Sequence, residues 1–261
     1  MRNRQTMATA LATCLALSSS LSAQVVVTES ATTTVNGKPT QSQIVYSIKG
    51  GLFRAHRNRA DDQSPTGKIR IYDAAAARLV ILDREKKEAT IYDAVKAAAE
   101  VEKKLPVQRI TGELTPTRNT KTLLGVTCEE YAFVLKAPIT DDVLIVRSGT
   151  AWVARQGAGV DDYLAFFRAA DTVLTASSVD TPSAALAIDR TETELYRRVA
   201  ALGGIPYAID MKLDVEGRGL TASLMRKAVT ASRVVTTTSV ETTPIGDELF
   251  AIPAGWTTRQ K

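Results

Sequence analysis

"YAIDMKLDVEG", residues 207–217, alternates without a break. Tyr207, Ile209, Met211, Leu213 and Val215 fall on one face, and Ala208, Asp210, Lys212, Asp214 and Glu216 on the other. A period of two is the strand signal, and one apolar face beside one wet face marks an antiparallel sheet covered on one side. Upstream the same pattern returns in "QIVYSIKG" (43–50), "KIRIYD" (68–73), "RLVILD" (78–83) and "EATIYD" (88–93), with Asp, Gly and Pro at the breaks as hairpin turns require. Downstream, "SRVVTTTSVETT" (232–243) is β-branched throughout, which suits a pleated chain.

Three stretches carry helical spacing instead. "YDAVKAAAEVEKKL" (92–105) stacks Ala94, Ala98, Val101 and Leu105 and is stopped by Pro106. "GVDDYLAFFRAAD" (159–171) stacks Val160, Leu164 and Phe167, with Asp161 and Asp162 in its first turn, where acids favour a helix start. "TETELYRRVAALGG" (191–204) opens on Thr191-x-x-Glu194, which reads as a capping box, and stops at Gly203-Gly204. Each has one narrow apolar stripe and needs something to lie on. The segment 177–187, small and Pro-containing, reads as a loop. The expected fold class is α+β: a large curved antiparallel sheet, an open half-barrel, with about three helices on its concave side, in one domain over 24–261.

The first 23 residues read as a secretory signal peptide: Arg2 and Arg4, a short apolar run, then Leu21-Ser22-Ala23 ahead of Gln24. Export to the periplasm or beyond follows as an expectation. Cys14 would be the site of lipidation in a rival reading, but Thr13 precedes it and apolar residues follow. No later stretch approaches the ~20 apolar residues of a spanning helix. Without Arg2 and Arg4 the 33 basic residues become 31, against 28 acidic ones, a net charge of +3. That mild excess gives no reason to expect nucleic acid. Cys128 is then the one cysteine, so no disulfide framework exists, and Glu129 and Glu130 beside it disfavour a reactive thiolate; it reads as a small buried hydrophobe.

Catalytic signals are thin. The only histidine is His56, beside Arg54, Arg57 and Arg59, which read as an exposed loop or strand end; cations there disfavour its protonation. There is no G-x-S-x-G elbow, and one Cys and one His far apart build no zinc site. Gly157 and Gly159 precede a helix without the remaining features of a phosphate cradle. The expectation is a protein that is not an enzyme, with no cofactor and no metal. The arginine cluster reads either as a solvated surface or as a face for anionic lipid heads or another protein.

The closing segment "GDELFAIPAGW" (246–256) has a physical reason for its shape. Gly246-Asp247 turns, "ELFAIP" reads as a short strand that Pro253 ends, and Trp256 can fold back to seal the core. It also resembles the end of a family of exported bacterial proteins, domain of unknown function 4412. "IVYSIKGGLFRAH" (44–56), the hairpin "LVILDREKKEATIYD" (79–93), and "NTKTLLGVTCEEYAF" (119–133) with Gly125, Cys128 and Tyr131 resemble further phrases of that family in the same order. "GGLFRAHRNRADDQSPTG" and "TPSAALAIDRTETELYRR" depart from it. That family is similar in design to the periplasmic lipoprotein carriers of the Lol type, open half-barrels whose helices close an apolar cavity. The resemblance implies a module for a lipid, an acyl chain or another hydrophobic ligand. Candidate lining residues are Tyr207, Ile209, Met211 and Leu213 from the sheet with Leu164, Phe166 and Phe167 from a helix; in a closed core the same residues would be packing. The alternative is a structural or protein-interaction module of the cell envelope with a filled core. Either way a monomer is expected, with a hydrophobic ligand or an envelope protein as partner.

Overall fold

The computed structural model describes residues 24–59 and 65–261. The expected signal peptide, and Cys14 with it, lie outside them. Among the described residues twelve strands form one sheet, in the order β12-β6-β5-β4-β3-β2-β1-β11-β10-β9-β8-β7. The strands are β1 (Gln24–Val35), β2 (Lys38–Lys49), β3 (Leu52–Arg59), β4 (Pro65–Asp73), β5 (Arg78–Asp83), β6 (Glu88–Asp93), β7 (Thr111–Leu123), β8 (Val126–Thr140), β9 (Val143–Ala154), β10 (Ile205–Gly217), β11 (Ala231–Glu241) and β12 (Thr257–Gln260). Neighbours pair antiparallel except β12, which runs parallel to β6. β7 and β12 do not meet, so the sheet is open, as expected of a half-barrel. β7 is a largely exposed edge, and Pro116, which cannot donate to a ladder, fits there.

Five helices accompany the sheet among the described residues, two more than expected: α1 (Ala94–Lys104), α2 (Val160–Ala169), α3 (Asp171–Ala176), α4 (Ser183–Ala201) and α5 (Gly219–Val229). α1 starts where read, with the Asp93 carboxylate accepting from the backbone N–H groups of Val95 and Lys96. α5 is weakly marked in the sequence because only Ala222 is fully buried, with Met225 and Val229 half-buried beside it, while Leu220 and Leu224 stay exposed and blur the stripe.

α4 begins well before the expected Thr191, inside the segment read as a loop. Its first turns carry the inward face through Leu186, Ala187 and Arg190, and a buried arginine interrupts the apolar period. Thr191 and Glu194 are therefore mid-helix and form no cap. The Thr191 hydroxyl donates to the Ile188 carbonyl at 2.8 Å and accepts from Arg147 Nε at 3.2 Å, and Glu194 pairs with Arg198 at 2.7 Å.

"ELFAIP" is not a strand. Asp247–Phe250 is a 3-10 turn, and the last strand is β12, which covers the β6 edge. Phe250 and Trp256 pack on Ile69, Ile71, Val80 and Leu82, so the terminus closes a cluster on β4–β6.

The helices that matter for the site are α2, α3 and α4. α2 enters through Gly159, whose φ of 75° is left-handed and whose missing Cβ leaves room for Val25 of β1. Gly159→Ala is expected to cost about 2 kcal/mol, because it adds a steric overlap to the backbone strain. Gly203→Ala, at φ 79° with nothing within 4 Å of a built Cβ, should cost about 1 kcal/mol. Urea titration of the two variants separates the terms; equal losses would mean α2 shifts freely on β1.

Candidate functional site

Between β2–β4 and helices α2–α4 lies a cavity of about 560 Å³. Its apolar part is aromatic. Tyr46 of β2, Phe53 of β3 and Tyr72 of β4 share a face because the register sets Tyr46 opposite Ala55 and Phe53 opposite Tyr72. Phe53 is the hub: its ring lies 5.5 Å from Tyr46, 5.4 Å from Tyr72 edge-on, and 4.6 Å from Phe166 in a stack. From α2, Tyr163 stacks on Phe167 at 4.4 Å, and both line the cavity with Leu174 of α3. Offset and edge-on ring pairs of this kind add about 0.5–1.5 kcal/mol each beyond their buried area, so this wall is preformed.

The polar part is unusual for a sheet interior. β1 places Val25, Val27, Glu29 and Ala31 inward, β9 places Ile145, Arg147 and Ala151, and β11 places Arg233, Val235 and Thr237. Three charges therefore stand at positions that the alternation reserves for apolar residues. Glu192 on α4 meets two of them: Arg233 at 2.5 Å and Arg147 at 3.4 Å. Burial pushes the Glu192 carboxyl up, but Arg233 and Arg147 outweigh it and hold it below the usual carboxylate range. Arg147 also donates to the Ile188 carbonyl at 3.1 Å.

Glu29 is the counterpart. Burial raises its pKa to about 7, against the pull of Arg233 and of a hydrogen bond from Tyr46. Its Oε2 is buried without a partner, as are Arg233 Nε and the Tyr196 hydroxyl, which lies near Tyr46 without a well-formed hydrogen bond. Burial also keeps the hydroxyls of Tyr46, Tyr163 and Tyr196 protonated well above the ordinary tyrosine range.

His56 lies within β3, half-buried, rather than in an exposed loop. Burial first, then Arg54 and Arg84, lowers its pKa to about 4, and Arg54 Nη1 sits 2.8 Å from its Nδ1. It is neutral at pH 7 and an ineffective acid there. Cys128 is fully buried, and burial pushes its thiol up.

Of the residues expected from sequence to line a cavity, Phe167 does so. Leu164, Phe166 and Tyr207 pack in the core beneath α2. Ile209 and Met211 pack with Leu195 and Val199 of α4, and Leu213 joins the cluster around Val215 and Ala222. The aromatic wall on β2–β4 and the charges on β1, β9, β11 and α4 were not singled out. Glu29, Arg147 and Arg233 carried the available signal, each a charge at an inward register position.

No family model and no curated protein matches the chain. The resemblance to the domain of unknown function 4412 thus has no such match behind it. Among solved structures the chain is similar to an uncharacterized conserved protein from Thermus thermophilus, at a TM-score of 0.39 and 7% identity over 92% of each chain. It is similar to a LolA superfamily protein from Nitrosomonas europaea at 0.30 and 7%, covering 88% of this chain and 90% of that one. A putative outer membrane lipoprotein-sorting protein domain from Vibrio parahaemolyticus gives 0.35 and 9%, covering 87% and 89%.

Proposed function

We propose that the chain is a non-enzymatic binding module, exported through a signal peptide over residues 1–23, that holds the apolar chain of a lipid or other hydrophobic ligand between sheet and helices. The observation that carries this is the cavity of about 560 Å³ with its preformed aromatic wall. Ligand pockets run to about 300–1,000 Å³, and this cavity falls in that range, with aromatic and aliphatic side chains over one part of its lining and charged and hydroxyl side chains over the rest. No helix among the described residues is long and apolar enough to cross a membrane.

Ala55 offers a direct test, since it lines the cavity between the aromatic and the charged ends. Protein purified from an exporting host is mixed with a sixteen-carbon chain and weighed by native mass spectrometry. Wild type is expected to start at Gln24 and to take up one chain per protein. Ala55→Trp, which fills the space, is expected to fold by circular dichroism and take up none. A wild type that binds neither hexadecanol nor palmitate ends this reading.

A further inference from the structure

Two leucines of α5 point into solvent. Leu220 is 76% exposed and Leu224 57%, one turn apart on the same side of the helix. The other side is fixed to the sheet: Ala222 is buried, Met225 and Val229 pack with Leu213 and Val215, and Arg226 donates to the Val215 and Gly217 carbonyls. That anchoring holds the leucines outward, since turning them inward would break it. A single exposed apolar residue is ordinary, but a pair held outward on an anchored helix marks a contact surface.

The charges on this rim of the sheet have one sign. The sequence has no acid between Glu216 and Glu241, and α5 with the residue before it carries Arg218, Arg226 and Lys227. The β1–β2 hairpin adjoins α5, because Val35 pairs both with Ala231, where β11 begins, and with Lys38. Val35 is exposed as well, and no acid lies between Glu29 and Asp61. Arg226 is bonded only to neutral carbonyls, and Arg218, Lys227 and Lys38 have no acidic partner among the described residues. The acids flanking α5 are Asp214 and Glu216 on β10 and Asp141 and Asp142 between β8 and β9. Glu216 is taken by Lys136 at 2.7 Å and Asp141 by Arg109 at 3.8 Å, and neither Asp214 nor Asp142 forms an ion pair with α5. Residues 60–64, with Asp61 and Asp62, join β3 to β4, which β1 and β2 separate from β11.

We propose that α5 is a membrane-docking face, which lays Leu220 and Leu224 into the surface of a bilayer rich in anionic lipid. Arg218, Lys227 and Lys38 flank the leucines and face the lipid phosphates, and Val35 of the neighbouring hairpin joins the apolar contact. Interfacial helices bind by the sum of buried apolar area and attraction to anionic lipid, and both parts are present here. Arginine and lysine keep their heads at the phosphate level while their stems cover apolar surface, so the cations and the leucines enter together. The docking does not require the cavity to hold a ligand.

The test is co-sedimentation of the purified protein with vesicles of phosphatidylcholine alone and with about 30% phosphatidylglycerol added. Each cation near an anionic surface is worth roughly fivefold in affinity, so the mixed vesicles are expected to bind roughly tenfold or more tighter than the neutral ones. Raising salt from about 0.1 M to about 1 M, which screens charges beyond roughly 3 Å, should remove that preference. Leu220→Ser with Leu224→Ser, and separately Arg218→Gln with Lys227→Gln, change exposed positions and are expected to keep the wild-type circular dichroism. Each pair should weaken binding to the mixed vesicles roughly tenfold or more. Val95→Ser with Lys103→Gln, an exposed apolar residue and a cation on α1, should bind as wild type. A wild type that sediments with neither vesicle overturns the proposal and leaves the face to a protein partner. Equal losses from the α1 and α5 pairs overturn the assignment to α5. Ala55→Trp, which fills the cavity, is expected to dock normally; loss of docking there would mean that lipid drawn into the cavity holds the vesicles, and would overturn the docking face while supporting the cavity reading.

Discussion

Glu192→Gln is expected to lower the free energy of unfolding by about 3 kcal/mol at pH 7. Arg147 is 4% exposed and Arg233 15% by side chain, and Glu192 sits between them. Taking charges out of water is costly, and the mutual attraction offsets that cost only while both signs are present. Glutamine keeps the shape and removes the negative charge, so two guanidiniums are left facing each other. Removing one partner of a buried pair typically costs about 3–5 kcal/mol, and the lower end applies because Glu192 is 28% exposed. Glu216→Gln supplies the contrast. It breaks the Lys136–Glu216 pair at 2.7 Å, whose side chains are 35% and 51% exposed, and should cost under about 1 kcal/mol. Urea unfolding of both variants decides it. Equal losses would mean that water reaches the Glu192 cluster through the cavity as freely as it reaches the surface.

The sheet was legible because its strands obey a rule that needs only neighbours in sequence. Side chains alternate, one face is buried, and "YAIDMKLDVEG" shows this unaided. The cavity was not legible for a related reason. The purest alternation, on β10, occurs where the sheet is covered most tightly: Ile209 and Met211 pack directly on Leu195 and Val199 of α4. A cavity lies where inward residues lack a complement, and that depends on where helices sit across the sheet. α4 itself was read short because Arg190 interrupts its stripe, yet Arg190 is buried and bonded to Glu102 and Thr175. The inward charges broke the same rule on β1, β9 and β11. Residues that violate a local pattern at buried positions are where function or strain is expected, and here one of them, Arg233, lines the cavity, while Arg147 pairs with Glu192, which also lines it.

Glu29 turns that violation into a pH dependence. Its carboxyl titrates at 4.5 when the chain is unfolded and at about 7 in the fold, where burial dominates. Between these values the folded state binds more protons than the unfolded one, so stability falls as pH rises. The contribution is fully present below pH 4.5 and is lost by about pH 7, and a rise of this size corresponds to about 3 kcal/mol. His56 acts in the opposite sense: its folded pKa of about 4 is below the ordinary 6.5, so its contribution is present above pH 6.5 and lost as pH falls toward 4. Being half-buried, it carries a smaller effect. Glu29→Gln isolates the carboxylate because His56 is common to both proteins. Relative to wild type, the variant is expected to gain about 3 kcal/mol in urea unfolding at pH 8 compared with pH 4. A difference that stays constant across that range would mean Glu29 is solvated and titrates normally. Glu192→Gln should also move this transition, since Glu192 raises the Glu29 pKa by like-charge repulsion and occupies Arg233. With Glu192 neutral, Arg233 turns its charge to Glu29, and the pH at which stability falls drops below 7. That shift would show that the two carboxylates share one arginine, and that the polar border of the cavity responds as a unit.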